Sequence, residues 1–341
     1  MAARERAGRR HCAAWVSFAL LAALASGCTE SPPEGAQVEP PAAPPSIGET
    51  PTTAAPTTEP STTEPSTPQP VTAEHLRPAT AVAAVRHLAG EIGPRPATGR
   101  AFREAADWVE AEFTSYGLTV SRQAFPVPAG NSWGTPVPAG RSVNVVAVTP
   151  DFRAGRPYLL LGAHLDTVPT APGAEDNASG VGVLLAVAQA LQDRSARLPV
   201  VLVAFGAEEP RGDTDADHHY GSRAYVSAMS PRERRGLRGM LALDRVGVGD
   251  AVPVAAAFED PANLRWRAVA EAAAERAGVP YVTGIDSASD HKSFARERLP
   301  GVRLGSTPYA GYHSPGDVPS VISRDQLART GRVVLAWLAG P

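Results

Sequence analysis

The chain has 341 residues, of which 43% are hydrophobic and 20% are charged, and its 32 basic and 35 acidic residues give a net charge of −3. This balance lacks the basic surplus that is typical of a nucleic-acid-binding protein, so we expect no nucleic-acid partner. Both cysteines, Cys12 and Cys28, lie near the N-terminus. Because the rest of the sequence has no thiol, neither a disulfide nor a cysteine-ligated metal can be part of the folded core.

Residues 1–28 have the pattern of an export signal. Four arginines within the first ten residues precede the apolar run 13–25, which is shorter than the roughly 20 residues of a membrane-spanning helix. The run ends in Leu-Ala-Ser-Gly-Cys at 24–28, which resembles the lipobox of bacterial lipoproteins. We therefore expect a lipid anchor on Cys28 and a protein held on the extracytoplasmic face of the cell membrane. Simple secretion after cleavage nearby is the alternative.

Residues 29–72 are predicted to form a disordered tether. The segment is rich in Pro, Thr and Glu, contains no Lys or Arg, and has almost no large apolar residues. A chain of this composition cannot bury a core, and proline at this density favours extended structure. The tether would hold the folded domain, predicted over residues 73–341, away from the membrane surface.

From residue 73 onward, the hydrophobic pattern predicts one α/β domain. Apolar residues recur at helical spacing over 81–88 and 102–113, and Gly117 ends the second helix. Further helices are predicted over 180–192, 261–277 and 324–338. Short apolar runs predict buried strands at 143–148, 158–162, 200–205, 241–243 and 302–304. This alternation predicts a three-layer α/β/α sandwich with a mixed, mostly parallel central sheet, in which sites form where strand ends meet loops.

Residue types that commonly bind metal ions lie next to three of these segments. His164 comes at a strand end with Asp166 two residues later, and imidazole is a good zinc ligand that a nearby carboxylate can orient. Asp176 begins the sequence Asp-Asn-Ala-Ser-Gly before a helix, a pattern that is also typical of helix capping. Glu208 and Glu209 follow a very apolar strand, where two adjacent carboxylates repel each other unless a cation is bound.

Two further candidates lie nearer the C-terminus. Asp244 ends an apolar strand, where an unpaired carboxylate is costly unless it binds a cation or pairs with a neighbour such as Arg245. Tyr312 and His313 lie in a turn-rich loop. Together the candidates provide two histidines, three carboxylate ligands and one spare carboxylate. This is the inventory for two divalent metals that share one aspartate, with one glutamate left as a base.

The order of these motifs is specific. The chain contains His-x-Asp-Thr, Asp-Asn-Ala-Ser-Gly, Glu-Glu, Leu-Asp, Ser-Asp-His and Tyr-His-Ser-Pro-x-Asp in sequence. This series resembles the co-catalytic zinc exopeptidase family of bacterial leucyl aminopeptidases and aminopeptidase Y. The resemblance covers roughly residues 85–338 and includes Gly-Pro-Arg at 93–95. It implies a zinc aminopeptidase that hydrolyses the peptide bond at the free N-terminus of a peptide or protein, and we expect it to be monomeric.

The resemblance also implies a role for each site residue. Two zinc ions would be bound, one by His164, Asp176 and Asp244, and the other by Asp176, Glu209 and His313. Glu208 would be the general base that takes a proton from the water between the metals, and Asp166 would orient His164. Tyr312 would hydrogen-bond the tetrahedral intermediate. Manganese or cobalt could occupy the same mixed set of ligands.

The sequence departs from the family near the expected substrate pocket. Arg245 stands where the family usually has Met, and Lys292-Ser293 follows the Ser-Asp-His motif where the family more often has another residue and then Pro. The loop 211–220 is longer than usual and contains several Asp and His residues. It could be a lid or an extra cation site, or simply a solvated loop. These changes concern substrate preference rather than the chemistry.

Three other functions fit parts of the pattern. Aminoacylase-like or carboxypeptidase-like dizinc amidohydrolases share His-Leu-Asp-Thr-Val-Pro at 164–169, but they usually insert a lid domain after the Glu pair. A one-metal glutaminyl cyclase has the same fold and catalyses acyl transfer. A catalytically inactive surface-binding domain would need none of the site residues, all of which are present.

Overall fold

The computed structural model describes residues 68–340. The predicted signal, the lipid anchor at Cys28 and nearly all of the tether lie outside the described residues. The packed structure begins before residue 73, where the folded domain was predicted to start, because the short strand at Gln69–Pro70 pairs with Arg194–Ser195 and Val71 is fully buried. Within the described range, no helix combines the length and the apolar composition needed to cross a membrane.

All five predicted helices are present, and three further helices that were not predicted lie between them. Residues 68–340 form eight α-helices: α1 (Pro78–Val85), α2 (Arg100–Ser115), α3 (Ser179–Ala190), α4 (Tyr220–Ala228), α5 (Pro231–Gly236), α6 (Pro261–Arg276), α7 (His291–Arg296) and α8 (Arg324–Ala339). A π-helical segment over Arg86–Ile92 continues α1. Gly117 follows α2 with a φ of 79°, a left-handed conformation that glycine adopts without steric cost, and this explains the end of the helix.

The strands form one large sheet and two small ones. They are β1 (Gln69–Pro70), β2 (Thr119–Val127), β3 (Gly130–Ser132), β4 (Thr135–Val137), β5 (Gly140–Val148), β6 (Tyr158–His164), β7 (Arg194–Ser195), β8 (Val200–Phe205), β9 (Leu237–Leu243), β10 (Val252–Ala256), β11 (Tyr281–Ile285) and β12 (Val302–Leu304). The large sheet has the order β11-β10-β12-β9-β6-β8-β5-β2. Its centre, from β12 to β8, is parallel, and so is the β10–β11 pair, whereas the pairs β10–β12, β5–β8 and β2–β5 are antiparallel.

All five predicted strands are present in the large sheet, but its strands β2, β10 and β11 were not predicted, and neither were the short strands β1, β3, β4 and β7 of the small sheets. The strands β2 and β11 are the two edges of the sheet and are largely exposed, so they lack a continuous apolar run. The strand β10 contains Pro253, a residue that normally argues against a strand inside a sheet.

Helices cover both faces of the sheet, which confirms the three-layer α/β/α arrangement. Alternate side chains of β6 point to opposite faces: Leu159 and Leu161 pack with the helices α1, α2, α3, α6 and α8, whereas Tyr158 and Leu160 pack with residues of α4 and α7. Because β6, β8, β9 and β12 are mutually parallel, their carboxyl ends lie along one edge. His164 is the last residue of β6, and Asp244 directly follows β9 at this edge.

Candidate metal site

The carboxylate of Asp176 lies between two histidines. Its Oδ1 is 3.1 Å from His164 Nε2, and its Oδ2 is 3.1 Å from His313 Nε2. Two further carboxylates complete the cluster: Asp244 Oδ1 is 3.6 Å from His164 Nε2, and Glu209 Oε2 is 3.3 Å from His313 Nε2. At most 7% of any of these five side chains is exposed. The structure therefore brings together the five residues that the sequence indicated as ligands.

The donor atoms suit metal ions. Ligand atoms of His164, Asp176 and Glu209 lie within 4.8 Å of one another, and so do those of His164, Glu208 and Asp244. Imidazole nitrogens and carboxylate oxygens are common zinc ligands. Glu209 Oε1 is buried and has no hydrogen-bond partner among the described residues, which is costly for a carboxylate oxygen. A bound cation would satisfy this oxygen, so the residues present fit the metal that the family implies.

The ionisation of the cluster reflects crowded negative charge. Burial raises the pKa of both Glu208 and Glu209 to about 8. Burial alone would lower the pKa of His313, but the carboxylates of Glu209 and Asp176 raise it to about 10. The pKa of Asp176 moves down despite its burial, because His164 and His313 hydrogen-bond to the carboxylate. Protons thus neutralise the metal-free cluster, in the places where cations would otherwise do so.

The Asp166 carboxylate lies closer to the backbone of the Glu pair than to His164, the residue it was predicted to orient. Its carboxylate accepts the backbone N–H of Glu208 at 3.0 Å and that of Glu209 at 3.2 Å. The imidazole of His164 lies closer to the backbone of Asp166 than to its side chain. His164 Nδ1 is 3.1 Å from the carbonyl oxygen of Asp166 and 3.9 Å from its Oδ1. The side chain of Asp166 therefore positions the Glu pair, and its carbonyl group orients the histidine.

Asp244 pairs with Arg303 rather than with its neighbour Arg245. The guanidinium of Arg303 is fully buried and lies 3.0 Å from Asp244 Oδ2 and 2.8 Å from Asp286 Oδ2. The charge of Arg303 holds the pKa of Asp244 well below its usual range, although burial acts in the opposite direction. Sequence reasoning missed Arg303, although an arginine between two apolar residues of a buried strand was a signal that it has a partner.

Asp317 positions Asp176 through the backbone. Its carboxylate accepts the N–H of Glu175 at 2.7 Å and that of Asp176 at 3.0 Å. Asp317 was noted only as the last residue of the Tyr-His-Ser-Pro-x-Asp motif. Its contact shows that the loop carrying His313 also orients the aspartate that lies between the two histidines.

Arg95 is a second residue whose role was not predicted. Its guanidinium is fully buried and donates hydrogen bonds to the carbonyl oxygens of Leu165, Pro172 and Gly173 at 2.8, 2.7 and 3.1 Å. Burial lowers the pKa of Arg95 to about 10. The side chain thereby joins the segment after His164 to the segment that leads into Asp176.

The long loop 211–220 is part of the site and is not simply solvated. His219 is buried, and its Nε2 lies 3.1 Å from Glu208 Oε1. Burial lowers the pKa of His219 to about 4, so its imidazole is neutral near pH 7. Asp215 forms ion pairs with Lys292 and Arg296 on α7, which fix the middle of the loop. Its outer residue Asp213 is exposed.

A cavity of about 230 Å³ opens beside the cluster. Trp133, at the turn between β3 and β4, lies with its ring 4.8 Å from that of His313. The Tyr312 ring stacks on His313 at 3.7 Å, and the guanidinium of Arg245 lies 4.2 Å from the centre of the Tyr312 ring. Tyr312 therefore lies at the cavity wall beside His313.

Known proteins resemble the chain over most of the described region. The model of "Peptidase family M28" matches residues 144–338. The uncharacterized protein YfbL of Escherichia coli is 26% identical over 312 residues, covering 78% of this chain and 89% of its own length. Aminopeptidase YwaD of Bacillus subtilis is 27% identical over 206 residues, which cover 57% of this chain but only 44% of YwaD.

Solved structures share the fold. A zinc aminopeptidase from Bacillus subtilis superimposes with a TM-score of 0.66 at 18% identity, covering 79% of this chain and 94% of that protein. A glutaminyl cyclase from Bacteroides thetaiotaomicron superimposes with a TM-score of 0.65 at 20% identity. The match covers 78% of this chain and 98% of the cyclase. These findings confirm the predicted α/β sandwich and the predicted class of enzyme, a metal-dependent exopeptidase. With the family model matched over 144–338, the chain belongs to peptidase family M28.

Proposed function

We propose that the domain is an aminopeptidase that binds two zinc ions and removes residues from the free N-terminus of peptides. The position of Asp176 carries this proposal, because its two carboxylate oxygens each lie 3.1 Å from a different histidine. One metal would be bound by His164, Asp176 and Asp244, and the other by Asp176, Glu209 and His313. The small cavity supports an exopeptidase, since it suits the end of a peptide better than a continuous chain.

Each residue of the site has a chemical task in this proposal. When bound, the zinc ions would polarise the scissile carbonyl and make a water molecule more acidic. Glu208 accepts a proton from the attacking water and passes it to the leaving amine. Asp166 holds the backbone of Glu208 and Glu209 by its two hydrogen bonds. Tyr312 lies beside His313, from where its hydroxyl can donate to the oxyanion of the tetrahedral intermediate.

A glutaminyl cyclase is the alternative that the structural neighbours favour most. It would need one metal, whereas two overlapping groups of ligand atoms are present here, one with Glu209 and one with Asp244. An aminoacylase-like amidohydrolase would use both metals on an acylated amine instead of a free one. A surface-binding domain without activity would not require Glu208 to lie within the cluster.

The deciding experiment measures turnover and metal content on one sample. The purified protein is tested on a panel of aminoacyl p-nitroanilides, on N-acylated amino acids and on a glutaminyl peptide, and its zinc is quantified by mass spectrometry. We expect about two zinc ions per chain and hydrolysis of free aminoacyl anilides, which a chelator abolishes. Cyclisation of the glutaminyl peptide with one metal would support the cyclase. No hydrolysis across the panel with two metals bound would contradict the proposal.

For the location, we propose export with a lipid on Cys28, residues 29–72 as the tether and a monomeric catalytic domain. The lipobox-like sequence at 24–28 supports this arrangement. The native chain should partition into detergent, and the Cys28→Ala variant should partition into the aqueous phase. Equal aqueous partitioning of both would favour simple secretion. Light scattering of the released domain would test the monomer.

A further inference from the structure

We propose that Arg245 forms a carboxylate-binding subsite, and that preferred substrates carry a carboxylate close to the scissile bond. This carboxylate could be the side chain of an N-terminal Asp or Glu, or the C-terminus of a dipeptide. The inference rests on the proposed aminopeptidase function and adds a substrate class to it.

The backbone of Arg245 is held in a conformation that arginine rarely adopts. Its φ is 57°, in the left-handed region. The residue directly follows Asp244, and its N–H is donated to Asn177 Oδ1 at 3.3 Å. Its carbonyl oxygen accepts the N–H of Ser306 at 2.9 Å. Strain that surrounding contacts maintain in this way is common at functional sites.

The side chain of Arg245 is also fixed in place. Its guanidinium lies over the Tyr312 ring, 4.2 Å from the centre, and one nitrogen hydrogen-bonds to the hydroxyl of Ser306. The residue lines the cavity beside the metal cluster. A guanidinium carries five N–H groups in a planar fork that matches a carboxylate. Binding a substrate carboxylate would therefore require little ordering of this side chain.

Arg245 has no direct ion-pair partner among the described residues. The Arg and Lys side chains that line the cavity are those of Arg245, Lys292 and Arg303. Lys292 is paired with Asp215, and Arg303 is paired with Asp244 and Asp286. Within residues 68–340, no carboxylate lies at ion-pair distance from Arg245. A carboxylate brought by the substrate would supply the missing anion.

The rest of the lining is consistent with a polar substrate group. The lining includes only four apolar or aromatic side chains from the described residues, those of Trp133, Pro210, Ala288 and Tyr312. Two of these, Trp133 and Tyr312, lie next to His313. A carboxylate in this cavity would find a charged partner in Arg245.

The test compares substrates that differ only in a carboxylate. One arm uses the p-nitroanilides of Glu and Gln, and the other uses Ala-Ala and Ala-Ala amide. We expect the native protein to prefer the acidic member of at least one pair. The Arg245→Met variant should lose about 10- to 100-fold in kcat/KM for that member, as expected for a charged hydrogen-bonding partner, and less than about 3-fold for the neutral one. The pair that responds identifies the source of the carboxylate.

Arg298 provides a matched control. It also has a left-handed φ, 58°, but it is exposed and does not line the cavity. Arg298→Met should leave the preference for the acidic member unchanged. No preference in the native protein, or an equal loss for both members of each pair in Arg245→Met, would overturn the inference.

A binding measurement separates this inference from the proposed function. Calorimetry on the zinc-loaded Glu208→Gln protein measures the affinity for the α-amide of glutamate against the α-amide of glutamine, and for Ala-Ala against its amide. We expect the preference for the acidic ligand to disappear when Arg245→Met is added. If the native protein hydrolyses nothing, the proposed function fails, while a lost calorimetric preference still supports the subsite. No preference in calorimetry would contradict the subsite even in an active enzyme.

Discussion

His219 Nε2 lies 3.1 Å from Glu208 Oε1, and both side chains are buried beside the candidate metal ligands. His219 belongs to the loop 211–220, and its backbone N–H also donates to the carbonyl oxygen of Glu208 at 2.9 Å. Burial lowers the pKa of His219, so a neutral imidazole lies against the carboxyl group of Glu208. The proposed base therefore has a partner that limits the directions in which its carboxylate can point.

We expect loss of this contact to lower kcat more than it changes KM. His219→Leu should reduce kcat by about 10-fold, because a freely rotating base is less often aligned with the attacking water. His219→Gln can still donate a hydrogen bond and should recover part of the loss. Steady-state kinetics with zinc analysis provide the measurement, and Asp213→Asn, in the exposed part of the same loop, is the control. Identical kinetics for the Leu and Gln variants would show that the hydrogen bond is unimportant.

The adjacent glutamates should respond differently to the same change. Glu208→Gln removes the base and should lower kcat by about 10²- to 10⁴-fold while zinc content stays near normal. Glu209→Gln removes a ligand and should lower the zinc content itself. Activity and zinc are measured on the same preparations. Near-normal turnover in Glu208→Gln would show that another residue is the base.

The shared carboxylate predicts a difference in metal content. Asp176→Asn should weaken both metal sites, because Asp176 contacts a histidine of each. His164→Gln should weaken mainly the site that includes Asp244, since His164 is 3.6 Å from that carboxylate. Zinc per chain after dialysis should approach zero in the first variant and one in the second. Retention of one tightly bound zinc ion by Asp176→Asn would argue against a bridging role.

Zinc affinity should rise with pH. In the metal-free protein the pKa of His313 is raised to about 10 and that of Glu209 to about 8, so both groups hold protons at pH 7. Zinc must displace these protons, and their displacement becomes easier as the pH increases. Calorimetry at pH 6 and pH 8, in buffers with different ionisation enthalpies, should show proton release and tighter binding at pH 8. Affinity that does not depend on pH would contradict the expected protonation.

Close packing beneath the site predicts that one added methyl group lowers the stability of the fold. A Cβ at Gly162 on β6 would overlap the ring of Phe205 on β8, whereas a Cβ at Gly284 on β11 would meet only Ala255 Cβ at 3.9 Å. Gly162→Ala should therefore lower the free energy of unfolding by about 1–3 kcal/mol. Gly284→Ala should change it little. Denaturant unfolding of the two variants compares them directly, and equal stabilities would contradict the overlap.

The sequence was sufficient where the information is local. Continuous apolar runs located β6, β8, β9 and β12, because a strand that is buried on both faces must be apolar along its length. Polar residues directly after such runs identified His164 and Asp244 as site candidates, since parallel strands end at a common edge. The order of the motifs indicated the family, which the match over 144–338 confirms. The exposed edge strands β2 and β11 carried no comparable signal.

Only the tertiary structure decided which charged groups face each other. Asp244 was predicted to be a metal ligand, with Arg245 as the alternative partner, and the ion pair that the structure shows is instead with Arg303 on the adjacent strand β12. Asp166 was expected to orient His164 with its carboxylate, which instead holds the backbone of the Glu pair. Residue types and hydrophobic period are properties of short segments, whereas ion pairs and hydrogen bonds depend on loops that converge from distant parts of the chain. For this reason the sequence determined the fold class and the ligand candidates, and the folded chain determined their partners.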